Sequence, residues 1–235
     1  MPDRGLLAEI LFPGRCLLCG KWLLFAGGDG SGDGSPVCGD CRAALEPLSG
    51  ERCAVCSMQL SSEHGACMRC RKAHYAFDSN NSVFAYGGPV RQIISLYKFG
   101  GRTRLAGLFA SYLAPVIGGK FPDRPVVPVP PRPNRRSADA VERIVRLLAR
   151  EHGLPVCRCL ERTGGIPQKS LDFIQRAENL RGRIRVATGR AGRGVPAAAV
   201  LLDDVFTTGA TADACARALR DAGCAAVAVV TIAID

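Results

Sequence analysis

Eight of the twelve cysteines stand in four Cys-x-x-Cys pairs, Cys16/Cys19, Cys38/Cys41, Cys53/Cys56 and Cys67/Cys70, all within the first 70 residues. A Cys-x-x-Cys turn lets two thiolates reach one tetrahedral metal, and two such pairs complete a closed four-cysteine site. Four pairs therefore predict two zinc sites. Eight thiolates leave no open coordination position, so the metal is structural and supplies folding energy to a segment too small to fold alone. The competing readings are weaker. A disulfide framework needs export, and residues 5–12, short and carrying Glu9, make a poor signal peptide. A redox dithiol normally occurs once, beside a βαβ pattern, and ferredoxin spacings are tighter. Sequential pairing gives two consecutive ribbons and interleaved pairing a cross-brace. The Gly/Asp/Ser-rich stretch 27–35 reads as a loop inside the first ribbon and fits sequential pairing slightly better. His64 and His74 read as solvated loop residues. Cys157, Cys159, Cys215 and Cys224 read as bystanders.

The 235 residues are 47% hydrophobic and 22% charged, a globular balance. No apolar run approaches the roughly 18–20 residues of a membrane span, so the expectation is an unexported, cytoplasmic protein. Residues 1–75 carry 8 Lys+Arg and 8 Asp+Glu, which leaves the net charge of +10 on residues 76–235. A surface of that kind suits polyanions, whether phosphorylated metabolites or nucleic acid. A general arginine-rich bias accounts for it equally well. The expected domains are a zinc module over 1–75 and an α/β domain over 76–235.

Beyond Cys70 the pattern alternates. Strands are expected at 82–86, 124–129, 197–202 and 226–232. Helices are expected from Val90 through Tyr97, at 103–114, at 138–152 after a Ser137 cap, and at 209–222. Residues 157–186 lack a clean period and read as loop, with one short helix near 171–179. Strands alternating with helices imply a parallel sheet covered on both faces.

Residues 199–211 read AVLLDDVFTTGAT. An apolar strand runs into Asp203 and Asp204, then into Thr207, Thr208, Gly209, Ala210 and Thr211 at a helix N-terminus. Unpaired N–H groups and a partial positive charge suit that end to a phosphate, and Gly209 permits close backbone approach. The two acids lie at the carboxyl end of a strand, where open α/β sheets bind ligands, and can accept hydrogen bonds from a ribose diol. Neither GxxxxGK[ST] nor GxGxxG is present. A capped helix after a buried strand explains one Thr and one Asp, not two adjacent acids and a TTGAT run.

These residues resemble the phosphoribosyl pyrophosphate (PRPP) motif of type I phosphoribosyltransferases. Nearly the whole chain resembles the ComF family of competence-associated proteins, which join a double zinc ribbon to a phosphoribosyltransferase-like domain. The four cysteine pairs match its N-terminal module. Tyr97-Lys98-Phe99-Gly100 resembles its YKF.G element, Val127-Pro128-Val129-Pro130 its PVP strand end, and Thr163, Gln168, Leu171, Arg176 and Asn179 its T….Q..L….R..N spacing. The resemblance implies that Asp203 and Asp204 bind the ribose hydroxyls, with magnesium accompanying PRPP, and that Thr207–Thr211 hold the 5′-phosphate. Arg132, Arg135 and Arg136 would face the pyrophosphate, which guanidinium groups suit chemically. They read equally well as solvated loop charges. Thr163, Gln168 and Arg176 would belong to a flap or substrate-side element. One departure stands out: the family's RGFNQ-like element after the PVP loop is replaced by Ser137-Ala138-Asp139-Ala140.

Two functions follow. The favoured one is a PRPP-site or phosphorylated-ribose-site protein that handles single-stranded DNA during competence, with a protein of the competence machinery as a further candidate partner. The alternative is an active phosphoribosyltransferase that moves ribose 5-phosphate to a nitrogen acceptor and releases pyrophosphate. That reaction asks chiefly for positioning and electrostatic clamping. The missing RGFNQ-like element favours the first reading.

Overall fold

Parallel strands cannot be joined by tight turns, so strands alternating with helices must lie side by side with the helices on the sheet faces. The computed structural model describes residues 14–23, 35–131, 140–163, 183–187 and 194–235. The first cysteine segment contains β1 (Gly14–Arg15), paired antiparallel with β2 (Trp22–Leu23), and α1 (Gly39–Ala43). The second contains α2 (Met68–Lys72). Then come β3 (Ser79–Ala85), α3 (Gly88–Lys98), α4 (Leu105–Lys120), β4 (Val126–Pro128), α5 (Ala140–His152), β5 (Leu160–Arg162), β6 (Ile184–Val186), β7 (Ala198–Phe206), α6 (Ala210–Asp221) and β8 (Ala226–Ile234). Four of these strands form the central parallel sheet, in the order β3-β8-β7-β4.

Alternate residues of a strand face opposite sides, and here each side has its own core. Val200, Leu202, Val230 and Ile232 pack with α3, α4 and α5. Ala199, Leu201, Val227 and Val229 pack with α6. The cysteine segments divide the same way: Cys16, Val37 and Leu45 join the first core, while Cys53, Cys56, Cys67 and Cys70 join the second. The chain between them runs along the free edge of β3. The Leu48 N–H donates to the Val83 carbonyl at 2.7 Å, and the Asn80 N–H donates to the Val55 carbonyl at 2.7 Å. An edge strand is thereby covered rather than left open to pair with another chain.

Five elements depart most from the sequence reading. β3 begins three residues early, because Asn80 and Ser82 are buried in a polar network with Thr231. The Asn80 amide donates to the Ser82 hydroxyl and the Cys56 carbonyl, each at 2.8 Å. α4 continues through Pro115 to Lys120. The ring removes one helical hydrogen bond, but Ala114 and Ile117 bury on the same core and hold the helix together. β7 runs on to Phe206, so Asp203 and Asp204 lie within its last turns of pleat rather than beyond it. β5 and β6 form an antiparallel pair, Glu161 opposite Arg185, inside the stretch read as loop. Three residues a side are too few to show a period. The short helix expected near 171–179 lies outside the described residues.

Candidate functional site

Both cysteine sites assemble from consecutive pairs. The four sulfurs of Cys16, Cys19, Cys38 and Cys41 lie within 4.8 Å of one another, and so do those of Cys53, Cys56, Cys67 and Cys70. The sequential arrangement is therefore the one the chain adopts. Each first pair sits on a tight turn. The Gly20 N–H donates to the Cys16 carbonyl at 2.9 Å and the Ser57 N–H to the Cys53 carbonyl at 2.9 Å. Gly20 and Ser57 take the left-handed conformation, with φ of 74° and 71°. Each second pair opens a one-turn helix, with Cys38 and Cys67 at the N-caps.

Electrostatics test whether a metal fits. Burial works to raise the Cys16 and Cys53 thiols, yet surrounding N–H groups outweigh it and bring both down to about 6. The Cys38 N–H donates to Cys16 Sγ at 3.3 Å, and the Cys67 N–H donates to Cys53 Sγ at 3.4 Å. Cys41 and Cys70 are driven upward, first by burial and then by the neighbouring sulfurs. Four thiols this close cannot ionise together without a cation among them, and a dication is what the donor set suits. The two sites support two structural zinc ions.

A third site lies at the C-terminal ends of the parallel strands. Asp203 Oδ1 accepts the Asp204 N–H at 2.8 Å, and Asp204 Oδ1 accepts the Val205 N–H at 2.7 Å. Asp204 Oδ2 pairs with Lys98 Nζ at 2.6 Å, with both side chains about one-fifth exposed. Lys98 ends α3, whose Tyr97 is anchored by its hydroxyl donating to the Ala140 carbonyl at 2.6 Å. After Phe206 the chain turns through Thr207 and Thr208 to Gly209, which caps α6 with φ of 79°. The Ala210 N–H donates to Thr208 Oγ1 at 3.3 Å, so this hydroxyl shapes the loop itself. Gly209 is required twice over: a Cβ there would also meet Phe206 Cζ at 2.7 Å and Tyr75 Cε1 at 3.1 Å.

The structure thus brings Asp203, Asp204, Thr207, Thr208, Gly209, Ala210 and Thr211 to one sheet end. Thr163 lies past β5, its N–H donating to the Arg183 carbonyl at 2.8 Å. Arg132, Arg135, Arg136, Gln168 and Arg176 lie outside the described residues. Sequence reasoning gave no role to three residues that touch this site. Lys98 was visible only inside the YKF.G element. Arg69 Nη1 donates to the Thr207 carbonyl at 3.0 Å, and the Tyr75 hydroxyl donates to the Thr208 carbonyl at 3.1 Å. Both stand more than 130 positions from their acceptors, and no local pattern marks such contacts.

Two four-cysteine sites, followed by a parallel α/β sheet with paired acids and a hydroxyl-bearing loop at its carboxyl end, define a double zinc ribbon ahead of a phosphoribosyltransferase-like fold. Residues 7–71 match the family model of the double zinc ribbon domain. The chain is similar to Competence protein ComFC of Streptococcus pneumoniae (strain ATCC BAA-255 / R6), 28% identical over 218 residues that cover 89% of this chain and 94% of the relative. It is also similar to Competence protein ComFC of Bacillus subtilis (strain 168), 26% identical over 203 residues that cover 81% and 80%. Both alignments run over most of the chain, so the similarity to ComFC proteins extends from the ribbons into the α/β domain. No described helix is long and apolar enough to cross a membrane.

Proposed function

We propose that this protein serves in competence, as the names of its relatives indicate for them, and that it binds PRPP or a related phosphorylated ribose. In this reading residues 1–75 are the zinc module and residues 76–235 the ligand-binding and DNA-handling domain. The observation that carries the ligand is the meeting of paired carboxylates with a helix-capping loop: Asp203 and Asp204 stand where a ribose diol, with magnesium, would be held, and the amides at the start of α6 suit the 5′-phosphate. Single-stranded DNA is the second partner, favoured by the net charge of +10 on residues 76–235. Arg132, Arg135 and Arg136 remain the candidates for the pyrophosphate side, with Thr163, Gln168 and Arg176 on the substrate side.

Calorimetric titration of the zinc-loaded protein with magnesium–PRPP tests the reading. Binding should be seen, and it should be lost in the Asp203→Asn/Asp204→Asn variant. Absence of binding to folded, zinc-loaded protein rejects a PRPP site. Pyrophosphate release from the same samples in the presence of nitrogen acceptors would turn a binding protein into a transferase.

A further inference from the structure

The second zinc ribbon does more than stand beside the phosphate loop. Arg69 lies on α2 beside the ligand Cys70, and its guanidinium donates to the Thr207 carbonyl at 3.0 Å. Tyr75, five residues beyond Cys70, donates its hydroxyl to the next carbonyl, that of Thr208, at 3.1 Å. Its ring lies against Gly209 and stacks on Phe77 at 4.7 Å, and Phe77 in turn meets Phe206 edge-on at 5.8 Å. Burial pushes the Tyr75 phenol up, so it remains a neutral donor. A further tie fixes the helix behind the loop: Asp213, in the first turn of α6, accepts the Ala76 N–H at 2.7 Å and pairs with Arg217 at 2.9 Å.

Peptide planarity makes these contacts consequential. All described peptide bonds are trans, and in a trans peptide the C=O and the following N–H point in opposite directions. Two successive carbonyls held toward the ribbon therefore turn the N–H groups of Thr208 and Gly209 away from it. Among the described residues neither N–H donates to a backbone carbonyl. Successive amides aimed in one direction form an anion-binding concavity.

We infer that Arg69 and Tyr75 are positioning residues for the phosphate loop, and that through them the second zinc ribbon, not the first, sets how tightly the loop holds a phosphoribosyl ligand. The ligand part of this inference rests on the proposed PRPP reading. The loop-ordering part does not.

The test uses the full-length, zinc-loaded protein and the variants Tyr75→Phe, Arg69→Ala and Arg69→Lys, with Lys21→Met in the first ribbon as control. Metal content is measured alongside magnesium–PRPP affinity and the backbone ¹⁵N order parameters of Thr208 and Gly209. Tyr75→Phe should keep two zinc ions per chain, weaken binding about 5- to 10-fold, the ratio one lost hydrogen bond corresponds to, and lower the order parameters from near 0.85 toward about 0.6. Arg69→Ala should act in the same direction, with partial rescue by Arg69→Lys. Lys21→Met should change neither reading. Unchanged order parameters in both Tyr75→Phe and Arg69→Ala overturn the inference. If the wild type binds no PRPP, the ligand reading fails alone and the order parameters still decide whether the ribbon orders the loop.

Discussion

The two zinc ribbons are built alike and placed unlike. Each begins with a turn in which the first cysteine's N–H is tied to a carbonyl five residues on, at 2.8 Å to Lys21 in one and 2.8 Å to Met58 in the other. Each continues into a left-handed residue and closes with a cysteine-capped helix. Their surroundings differ. In the first, Cys19 is exposed and the Lys21–Asp40 ion pair stands in water. In the second all four cysteines are buried, Asn80 of β3 donates to the Cys56 carbonyl, and Arg69 and Tyr75 reach the loop ahead of α6. A metal knuckle is thus a local device that tolerates either setting. What it contributes depends on what packs against it.

Removing one ligand from each ribbon should break the comparison most sharply. Cys70→Ser should release the zinc of the second site and expose a core shared with the sheet, at a cost on the order of 5 kcal/mol or more, a large share of a domain's stability. Cys19→Ser should cost clearly less, since Cys19 is exposed and belongs to neither core. Zinc per chain and urea unfolding of the two variants measure this, and equal losses would show that the ribbons are energetically equivalent.

The left-handed glycines give a smaller contrast. Gly209→Ala combines an unfavourable φ with a clash against Phe206 and Tyr75 and should cost about 3 kcal/mol. Gly20→Ala has the same φ problem in open space and should cost about 1 kcal/mol. Thermal unfolding separates the two. A Gly209→Ala protein as stable as Gly20→Ala would mean that the loop relaxes away from Tyr75.

Smallest is the contrast between ion pairs. A double-mutant cycle on Lys98 and Asp204, using Lys98→Met and Asp204→Asn, should return a coupling of about 1–3 kcal/mol, because the pair is mostly shielded from water. The same cycle on Lys21 and Asp40 should return nothing above experimental scatter, since both side chains are largely exposed. If the Lys98–Asp204 coupling is equally absent, the α3 lysine has no hold on the paired acids.

How much of this was legible beforehand follows from the range of each interaction. The cysteine pairs announced both metal sites because a tetrahedral site needs two residues from one turn, and a turn is written in four consecutive letters. The strand–loop–helix around Asp203 to Thr211 was legible for the same reason, as apolar run, acids, hydroxyls and glycine follow one another along the chain. Apolar runs alternating with periodic helices were enough for a parallel sheet covered on both faces. Helix and strand ends were less legible. The expected helix ends at Ala114, before Pro115, whose local effect is unfavourable, and only the burial of Ala114 and Ile117 carries it on to Lys120. The β5–β6 pair was hidden because two three-residue strands acquire their hydrogen bonds from each other, not from their own sequence.

The chain's letters by themselves determined where the four-cysteine sites and the acid-and-hydroxyl loop ahead of α6 form, since backbone turns, thiolate pairs and helix ends are set by neighbours in sequence. Tertiary structure alone decided that the ribbons take opposite faces of one sheet, that Lys98 meets Asp204, and that Arg69 and Tyr75 hold the carbonyls of Thr207 and Thr208. Those contacts join residues more than a hundred positions apart. They exist only after burial of the two cores has brought the elements together.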